Sequence, residues 1–239
     1  MMNILSKILD VILPPRCISC GKVLNAKDGV CEECFNNINF ISKPHCHKCG
    51  MPFENVVSNK EIMCGLCIKD KKPIFRYGRS ALRYDDFSKN MILAFKFMDK
   101  TENASTLSKW MFAAGKDIFS SGVDLIIPIP LHYTRLLKRK YNQSALLAKK
   151  LGKLASIKVD YSSVIRAKKT KPQVEFSGKA RLKNVKNAFG VKHQNKIKGK
   201  RILLVDDVYT TGSTLKECAK VLLKSGAASV DFITAARTC

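Results

Sequence analysis

Apolar residues along the second part of the chain occur in short continuous runs, with stretches of helical spacing between them. Three runs have strand length and few polar positions: 124–130, 202–206 and 229–237. Such runs indicate strands that are buried on both faces of a parallel sheet. The intervening stretches have apolar residues at helical spacing: 91–97, 103–119, 135–155 and 213–226. We therefore predict an α/β domain over residues 73–239, a parallel sheet flanked by helices.

The first fifteen residues show a different pattern. Ile4, Leu5, Ile8, Leu9 and Ile12 share one face of a helix that ends at Pro14 and Pro15. We predict an amphipathic helix over 1–15 that packs against the protein itself, with contact to a membrane or a partner as the alternative. Lys7 and Asp10 interrupt the apolar stretch, which argues against a secretory signal. We expect no transmembrane segment and a cytoplasmic chain that reaches a membrane only through partners.

Cysteine spacing predicts a metal-binding module over residues 16–72. Eight of the ten cysteines form CxxC pairs: Cys17/Cys20, Cys31/Cys34, Cys46/Cys49 and Cys64/Cys67. A CxxC turn directs two thiolates to one point, and a second turn completes a tetrahedral zinc site. The sequence thus predicts a small double zinc ribbon with two structural Zn²⁺ ions, because four thiolates leave no open coordination position.

The spacing leaves the pairing open. One zinc held by the first two CxxC pairs and one by the last two is the simple arrangement, and a cross-braced arrangement has the same spacing. Disulfides are a further alternative, which a reducing compartment disfavours because we expect no secretory signal. An iron–sulfur centre is another.

Positive charge is concentrated outside the ribbon. The net charge is +24, and residues 76–239 carry 33 Lys and Arg against 12 Asp and Glu. A field of this size favours polyanions such as phosphates, nucleic acid or an acidic membrane surface. The alternative explanation for the positive charge is that the lysines lie on solvated faces without a specific partner. The clusters lie at 135–140, 166–171, 179–186 and 196–201.

Residues 202–214, ILLVDDVYTTGST, place two carboxylates and a hydroxyl-rich turn after a buried strand. Ligands of open parallel sheets bind at the carboxyl ends of strands. The turn before the next helix offers successive backbone N–H groups to a phosphate, and its members are Thr210, Thr211, Gly212, Ser213 and Thr214. Asp206 and Asp207 suit sugar hydroxyls or Mg²⁺. Simple helix capping by Asp207 is the alternative and leaves most of the pattern unexplained.

The stretch 202–214 resembles the phosphoribosyl-pyrophosphate (PRPP) motif of type I phosphoribosyltransferases. The whole chain resembles the ComF family, in which a zinc ribbon precedes such a domain. Two further segments, 128–151 and 166–189, are similar to the family at Pro128, Pro130, Arg135, Arg139, Asn142, Gln143, Arg166, Thr170, Gln173, Arg181 and Asn184. Lys140 departs from the family, which usually has glycine there.

The resemblance implies a type I phosphoribosyltransferase fold and a PRPP site that also holds Mg²⁺. Asp206 and Asp207 are the candidate catalytic residues and bind ligand together with residues 210–214. Arg135, Lys138 and Arg139 are expected to neutralise the pyrophosphate. Lys140 is a further candidate ligand residue, which either alters the pyrophosphate loop or adds a phosphate contact. The loop 166–186 is expected to close over the ligand.

Three functions remain open: phosphoribosyl transfer from PRPP, PRPP sensing without transfer, and binding of single-stranded DNA. The resemblance implies a role in DNA uptake during natural competence, with uptake machinery at the inner membrane as a partner. Four aromatic residues are candidates for base stacking, although core packing explains each one singly: Tyr133, Tyr141, Phe176 and Phe189.

Overall fold

The computed structural model describes residues 14–25, 29–54, 61–97, 100–167 and 187–239. The predicted N-terminal helix and most of the loop 166–186 lie outside these residues, and so do Thr170, Gln173, Phe176, Arg181 and Asn184. The helices are α1 (Glu32–Asn36), α2 (Gly65–Lys69), α3 (Asp86–Phe97), α4 (Asn103–Ala114), α5 (Lys116–Ser120), α6 (Tyr133–Arg139), α7 (Gln143–Ala155) and α8 (Ser213–Lys224). The strands are β1 (Gly78–Arg83), β2 (Leu125–Pro128), β3 (Val164–Arg166), β4 (Phe189–Val191), β5 (Arg201–Tyr209) and β6 (Ser229–Arg237).

A four-stranded sheet in the order β1-β6-β5-β2 forms the centre of the fold, and all its neighbouring strands are parallel. The predicted α/β class is therefore confirmed. Alternate residues of β5 enter opposite cores: Leu203 and Val205 on one face, Ile202 and Leu204 on the other. Helices α3, α4 and α7 pack on the first face and α8 on the second. None of the helices in the described ranges has the length and apolar character of a membrane span.

Strand β1 was not predicted because polar residues interrupt its apolar pattern. Arg79 is almost fully buried and forms an ion pair with Asp117. The Ser80 hydroxyl shares a hydrogen bond of 2.7 Å with that of Thr234 on β6. Buried polar groups are tolerated where they find such partners. The partners lie far away in the sequence, so the local pattern does not reveal the strand.

Two predicted helices are each divided in the structure. The stretch 103–119 breaks at Gly115, where an added Cβ would lie 2.6 Å from Ile233 Cδ1. The stretch 135–155 breaks after Arg139, because Lys140 adopts a left-handed conformation with φ of 63°. The strand expected at the start of 162–173 forms, but it joins a separate antiparallel pair, β3 with β4.

The ribbon packs along the free edge of β1. Ile41 N donates to Ala81 O at 2.9 Å, and Arg83 N donates to Asn39 O at 2.8 Å. Further along the same strand, Gly78 N donates to Lys48 O at 2.7 Å. Ile18 and Ile38 join the core on the α4 and α7 face of the sheet. The ribbon therefore covers an edge that would otherwise be open to pairing with another chain.

Because Ile38 belongs to the ribbon but packs in the sheet core, we expect Ile38→Ala to destabilise the whole chain. The lost contacts and the cavity should cost about 2–5 kcal/mol of unfolding free energy. Val23→Ala is the control in the ribbon, since Val23 is 51% exposed; its effect should stay within about 0.5 kcal/mol. Thermal unfolding followed by circular dichroism measures both. A ribbon transition that shifts while the sheet transition stays fixed would contradict this coupling.

Candidate functional site

The eight ribbon cysteines form two separate clusters. Cys17, Cys20, Cys31 and Cys34 form one, and Cys46, Cys49, Cys64 and Cys67 form the other. Within each cluster the Sγ atoms lie within 4.8 Å of one another. The sequential pairing, which the spacing left open against a cross-braced one, is the pairing present in the fold.

The sulfur geometry fits Zn²⁺. Cys20 Sγ lies 3.7 Å from Cys31 Sγ, and Cys49 Sγ lies 3.7 Å from Cys64 Sγ. A tetrahedron with Zn–S bonds of 2.3 Å separates its sulfurs by about 3.8 Å. The backbone N–H of Cys64 donates to Cys46 Sγ at 3.3 Å, an interaction that stabilises a thiolate. These are closed four-sulfur sites of the structural kind.

A cleft of about 360 Å³ opens where β5 runs into α8. It is lined from β5 and the following turn by Asp206, Asp207, Val208, Thr210, Gly212, Ser213, Thr214 and Leu215, and from the α3 side by Tyr84, Lys89 and Lys96. The cleft lies at the carboxyl end of the parallel sheet, the edge at which such sheets bind ligands. It therefore brings most of the sequence-predicted ligand residues together in one place.

Asp206 is held by the start of α7. Its Oδ1 accepts hydrogen bonds of 2.9 Å from the Ser144 hydroxyl and from Asp207 N. Asn142 caps α7 by accepting from Ser144 N at 3.1 Å and donates to Ile129 O at 3.0 Å. Burial, together with the charge of Asp207, raises the pKa of Asp206 to about 7. Near neutral pH both the protonated and the ionised form of this carboxyl are therefore populated. A pKa shifted in this way is common at functional sites.

Asp207 pairs with a cation that was not predicted. Lys96 Nζ on α3 lies 3.0 Å from Asp207 Oδ1, and the two side chains are 18% and 14% exposed. Gln143 donates to Lys96 O at 3.1 Å and so fixes the end of α3 against α7. An ammonium group thus balances the charge of the Asp207 carboxylate inside the cleft.

The turn 210–214 connects β5 to α8 and includes a glycine in the left-handed conformation. Gly212 has φ of 69°, in the region that favours glycine, and immediately precedes α8. The Thr211 and Ser213 hydroxyls lie 2.5 Å apart. Ser213 N points to Thr211 Oγ1 at 3.4 Å. The turn therefore lies at the positive end of a 12-residue helix, and contacts between Thr211 and Ser213 stabilise it.

Arg139 and Lys140 do not belong to the described residues that line the cleft. Arg135 lies on α6, and its side chain is outside the described part. Arg139 donates to Gln143 Oε1 at 3.3 Å and stacks 4.7 Å from the centre of the Phe97 ring. Lys140 is exposed and ends α6 in the left-handed conformation, which explains why glycine suits this position in the family it resembles.

The aromatic candidates for base stacking differ in exposure. Tyr133 is 67% exposed, whereas Phe189 is 7% exposed and belongs to a core cluster. The Tyr141 hydroxyl donates to Phe95 O at 2.7 Å. Packing within the protein thus accounts for Phe189 and Tyr141, which was the alternative to base stacking.

Sequence reasoning missed Tyr84, Lys89, Lys96 and Ser144. Lys96 follows the apolar helical spacing at 91–95, where a lysine is typical of a solvent-facing position. Only the packing of α3 against α7 turns it toward Asp207. Ser144 stands directly after the predicted motif residue Gln143, and its proximity to that motif was the one available signal.

Family models match both parts of the chain. A Double zinc ribbon domain matches residues 8–73, and a Phosphoribosyl transferase domain matches residues 142–238. The fold and the cysteine clusters agree with these matches, so the chain is a double zinc ribbon protein with a phosphoribosyltransferase-type domain. The domain boundaries at 15 and 72 stay predictions.

Curated relatives share this organisation over most of their length. Competence protein F of Haemophilus influenzae is 34% identical over 233 residues, covering 93% of this chain and 96% of the relative. DNA utilization protein YhgH of Escherichia coli K12 is 31% identical and covers 88% and 91%. Competence protein ComFC of Bacillus subtilis is 28% identical and covers 90% and 87%. The chain belongs to the ComF family.

Because its pKa is raised, Asp206 should lower the free energy of unfolding at any pH at which this carboxyl is ionised. An unfolded carboxyl loses its proton near pH 4 and the folded one near 7, so stability falls as pH rises between these values. We expect Asp206→Asn to raise the melting temperature at pH 8 and to change it little at pH 4.

Asp160→Asn is the control of opposite sign for this measurement. Burial opposes ionisation of Asp160, but hydrogen bonds from Ser162 and Ser163 outweigh it and lower the pKa to about 2. Its ionised form therefore stabilises the fold, and Asp160→Asn should lower the melting temperature at pH 8. Equal shifts of the Asp206→Asn variant at both pH values would contradict the raised pKa.

Proposed function

We propose that the cleft binds PRPP together with Mg²⁺, and that the protein acts in DNA uptake during natural competence. One observation carries the binding proposal: a carboxylate pair and the N-terminus of α8 share a single cleft. A ribose phosphate needs both, because its hydroxyls pair with carboxylates and its phosphate with helix N–H groups. The match to a Phosphoribosyl transferase domain supports the same ligand class.

The residues of the cleft would divide the ligand between them. Residues 210–214 would hold the 5-phosphate, and Asp206 and Asp207 the ribose hydroxyls or the metal. Mg²⁺ would supply charge neutralisation at the pyrophosphate. Lys96 now contacts Asp207 and would move to a phosphate oxygen when the ligand enters. Arg135 and Arg139 on α6, together with Lys140 at its end, would add positive charge.

The chemistry of the site agrees with transfer of a phosphoribosyl group to a nitrogen acceptor. Departure of pyrophosphate from PRPP builds positive charge on the ribose and negative charge on the leaving group. Carboxylates beside the ribose and cations beside the pyrophosphate would stabilise both. PRPP sensing without transfer uses the same pocket, and release of pyrophosphate in the presence of acceptor bases distinguishes the two.

Single-stranded DNA is the second ligand that we propose. The relatives are named for competence and DNA utilization, and residues 76–239 hold nearly all of the excess positive charge. Such a field binds the phosphate backbone without regard to sequence. A cytoplasmic protein with this charge would take the incoming strand from uptake machinery at the inner membrane.

The PRPP proposal is tested by isothermal titration with PRPP and Mg²⁺. Replacing Asp206 and Asp207 together by alanine should abolish binding, because the ribose and the metal lose their partners. Thr211→Val should weaken it by about 1–3 kcal/mol, the range for a hydrogen bond to a charged group. Asp124→Ala is the matched control, since this carboxylate pairs with Arg201 where β5 begins, at the other end of the strand. Full affinity of the double variant would place the ligand elsewhere.

The DNA proposal is tested by the salt dependence of binding to an oligonucleotide. Each phosphate neutralised on a single strand contributes about −0.7 to the slope of log affinity against log salt. If the strand passes the cleft, replacing Arg139 and Lys140 by alanine should flatten the slope by about 1.4 units.

Lys196 and Lys198 are the matched control pair for the salt slope. Both are exposed and lie just before β5, away from the strand end that carries the cleft. Replacing them by alanine should leave the slope unchanged. A loss confined to the control pair would contradict a path past the cleft. Competition between PRPP and the oligonucleotide would support a shared phosphate pocket.

A further inference from the structure

Arg237, the last residue of β6, connects the sheet to the second zinc cluster. Its side chain is 3% exposed. Its Nη1 donates to Cys49 O at 2.6 Å, so the guanidinium group binds the backbone of a zinc-ligand turn. The same turn is tied to β1, since Lys48 O accepts from Gly78 N at 2.7 Å. The position of the turn 46–50 therefore determines where the Arg237 side chain lies.

The Arg237 guanidinium also lies against Tyr209, the last residue of β5. Its Cζ is 5.0 Å from the centre of the Tyr209 ring. Tyr209 and Arg237 are also paired in the register of β5 with β6. Thr238 N donates to Tyr209 O at 2.9 Å. The Tyr209 ring stacks on Phe232 at 4.9 Å with an interplanar angle of 14°. Tyr209 is thus fixed from the ribbon side and from the sheet side.

The Tyr209 ring in turn packs against the phosphate loop. A Cβ built on Gly212 would lie 2.6 Å from the Tyr209 hydroxyl oxygen and 2.7 Å from two ring carbons. The ring is therefore in direct contact with the backbone at Gly212, the residue whose positive φ shapes the turn into α8. Any displacement of the ring therefore changes the space available to the Gly212 backbone.

Charge gives the second reason to connect these sites. A buried arginine needs a negative partner. None of the ion pairs within the described ranges includes Arg237, and its Nε has no hydrogen-bond partner among these residues. Four thiolates around one Zn²⁺ carry a net charge of about −2. The hydrogen bond to Cys49 O places the Arg237 guanidinium on the turn that carries two of these thiolates.

We propose that the zinc site of Cys46, Cys49, Cys64 and Cys67 holds the phosphate loop 210–214 in its binding conformation through Arg237 and Tyr209. Arg237 and Tyr209 are positioning residues in this arrangement. Among the residues that the structure describes, the cysteines of the first zinc site pack instead with Leu24, Val30 and Phe87. Occupancy of the second zinc site and ribose-phosphate binding then strengthen each other, a consequence that rests on the PRPP site proposed above.

Hydrogen exchange measured by mass spectrometry tests the coupling without any ligand. Cys67→Ser and Cys20→Ser each remove one ligand, from the second and the first site respectively, and the zinc content of each variant is measured first. We expect amides of 210–214 to exchange about tenfold faster in Cys67→Ser and at the wild-type rate in Cys20→Ser. Equal exchange in the two variants, each having lost its own zinc, would overturn the proposal.

Variants that retain both zinc ions keep the test decisive if a cysteine variant fails to fold. Tyr209→Ala removes the ring between Arg237 and Gly212 and should speed exchange at 210–214 by a similar factor, whereas Tyr209→Phe keeps the ring and should behave as wild type. Arg237→Met should also speed exchange at 210–214, as Tyr209→Ala does. The control for Arg237→Met is Arg16→Met, because Arg16 Nη1 donates to Gly21 O at 3.2 Å near the first zinc site. Wild-type exchange in both Tyr209→Ala and Arg237→Met contradicts the coupling.

Titration with PRPP and Mg²⁺ separates this inference from the proposed function. In the coupled protein, Tyr209→Ala raises the Kd for PRPP about tenfold, and PRPP tightens zinc at the second site by the same factor. If wild-type protein does not bind PRPP, the proposed ligand is wrong, and the exchange measurement alone still decides the coupling. If PRPP binds equally well to wild type and to Tyr209→Ala, the coupling is wrong and the ligand stands.

Discussion

The pairing of β5 with β6 positions the carboxylates of the cleft and the start of the turn that follows them. The two strands stay in parallel register from Arg201 opposite Ser229 to Tyr209 opposite Arg237, beyond the point at which the side chains become polar. Backbone hydrogen bonds do not depend on those side chains, so the ladder continues past Asp206 and Asp207. The carboxylates are therefore held on rigid backbone, and the loop that follows begins from a fixed residue.

That rigidity places two negative charges side by side in a half-buried position. The fold offsets them in three ways: the Ser144 hydroxyl and Asp207 N bind Asp206, Lys96 pairs with Asp207, and Asp206 holds its proton to an unusually high pH. Each of these is reversible by a ligand that brings its own cation. The proposed metal-bound sugar phosphate would relieve this electrostatic cost, and binding sites commonly oppose stability in this way.

Much of the fold and of the candidate site was predictable from sequence because the patterns that indicate them are local. The CxxC pairs, the buried strands β2, β5 and β6, and the turn 210–214 each lie within a short segment. Three features depend instead on residues far apart in the chain. Strand β1 is hidden by Arg79 and Ser80, whose partners are Asp117 and Thr234, and Lys96 meets Asp207 only after α3 packs against α7. The helix break at Lys140 needs a left-handed conformation that lysine rarely adopts, so propensity alone predicts a continuous helix.

The strand order has a consequence for synthesis of the protein. Strand β6 lies between β1 and β5 although it follows both in sequence. Until the ribosome has released β6, β1 has no neighbouring strand in the four-stranded sheet, and β5 is paired with β2 alone. Helices α4 and α7 pack in the same core as β1 and β5, so they can connect the two parts before β6 arrives. The sheet then has two open strand edges at its centre, and such edges favour aggregation until the last strand of the chain pairs with both.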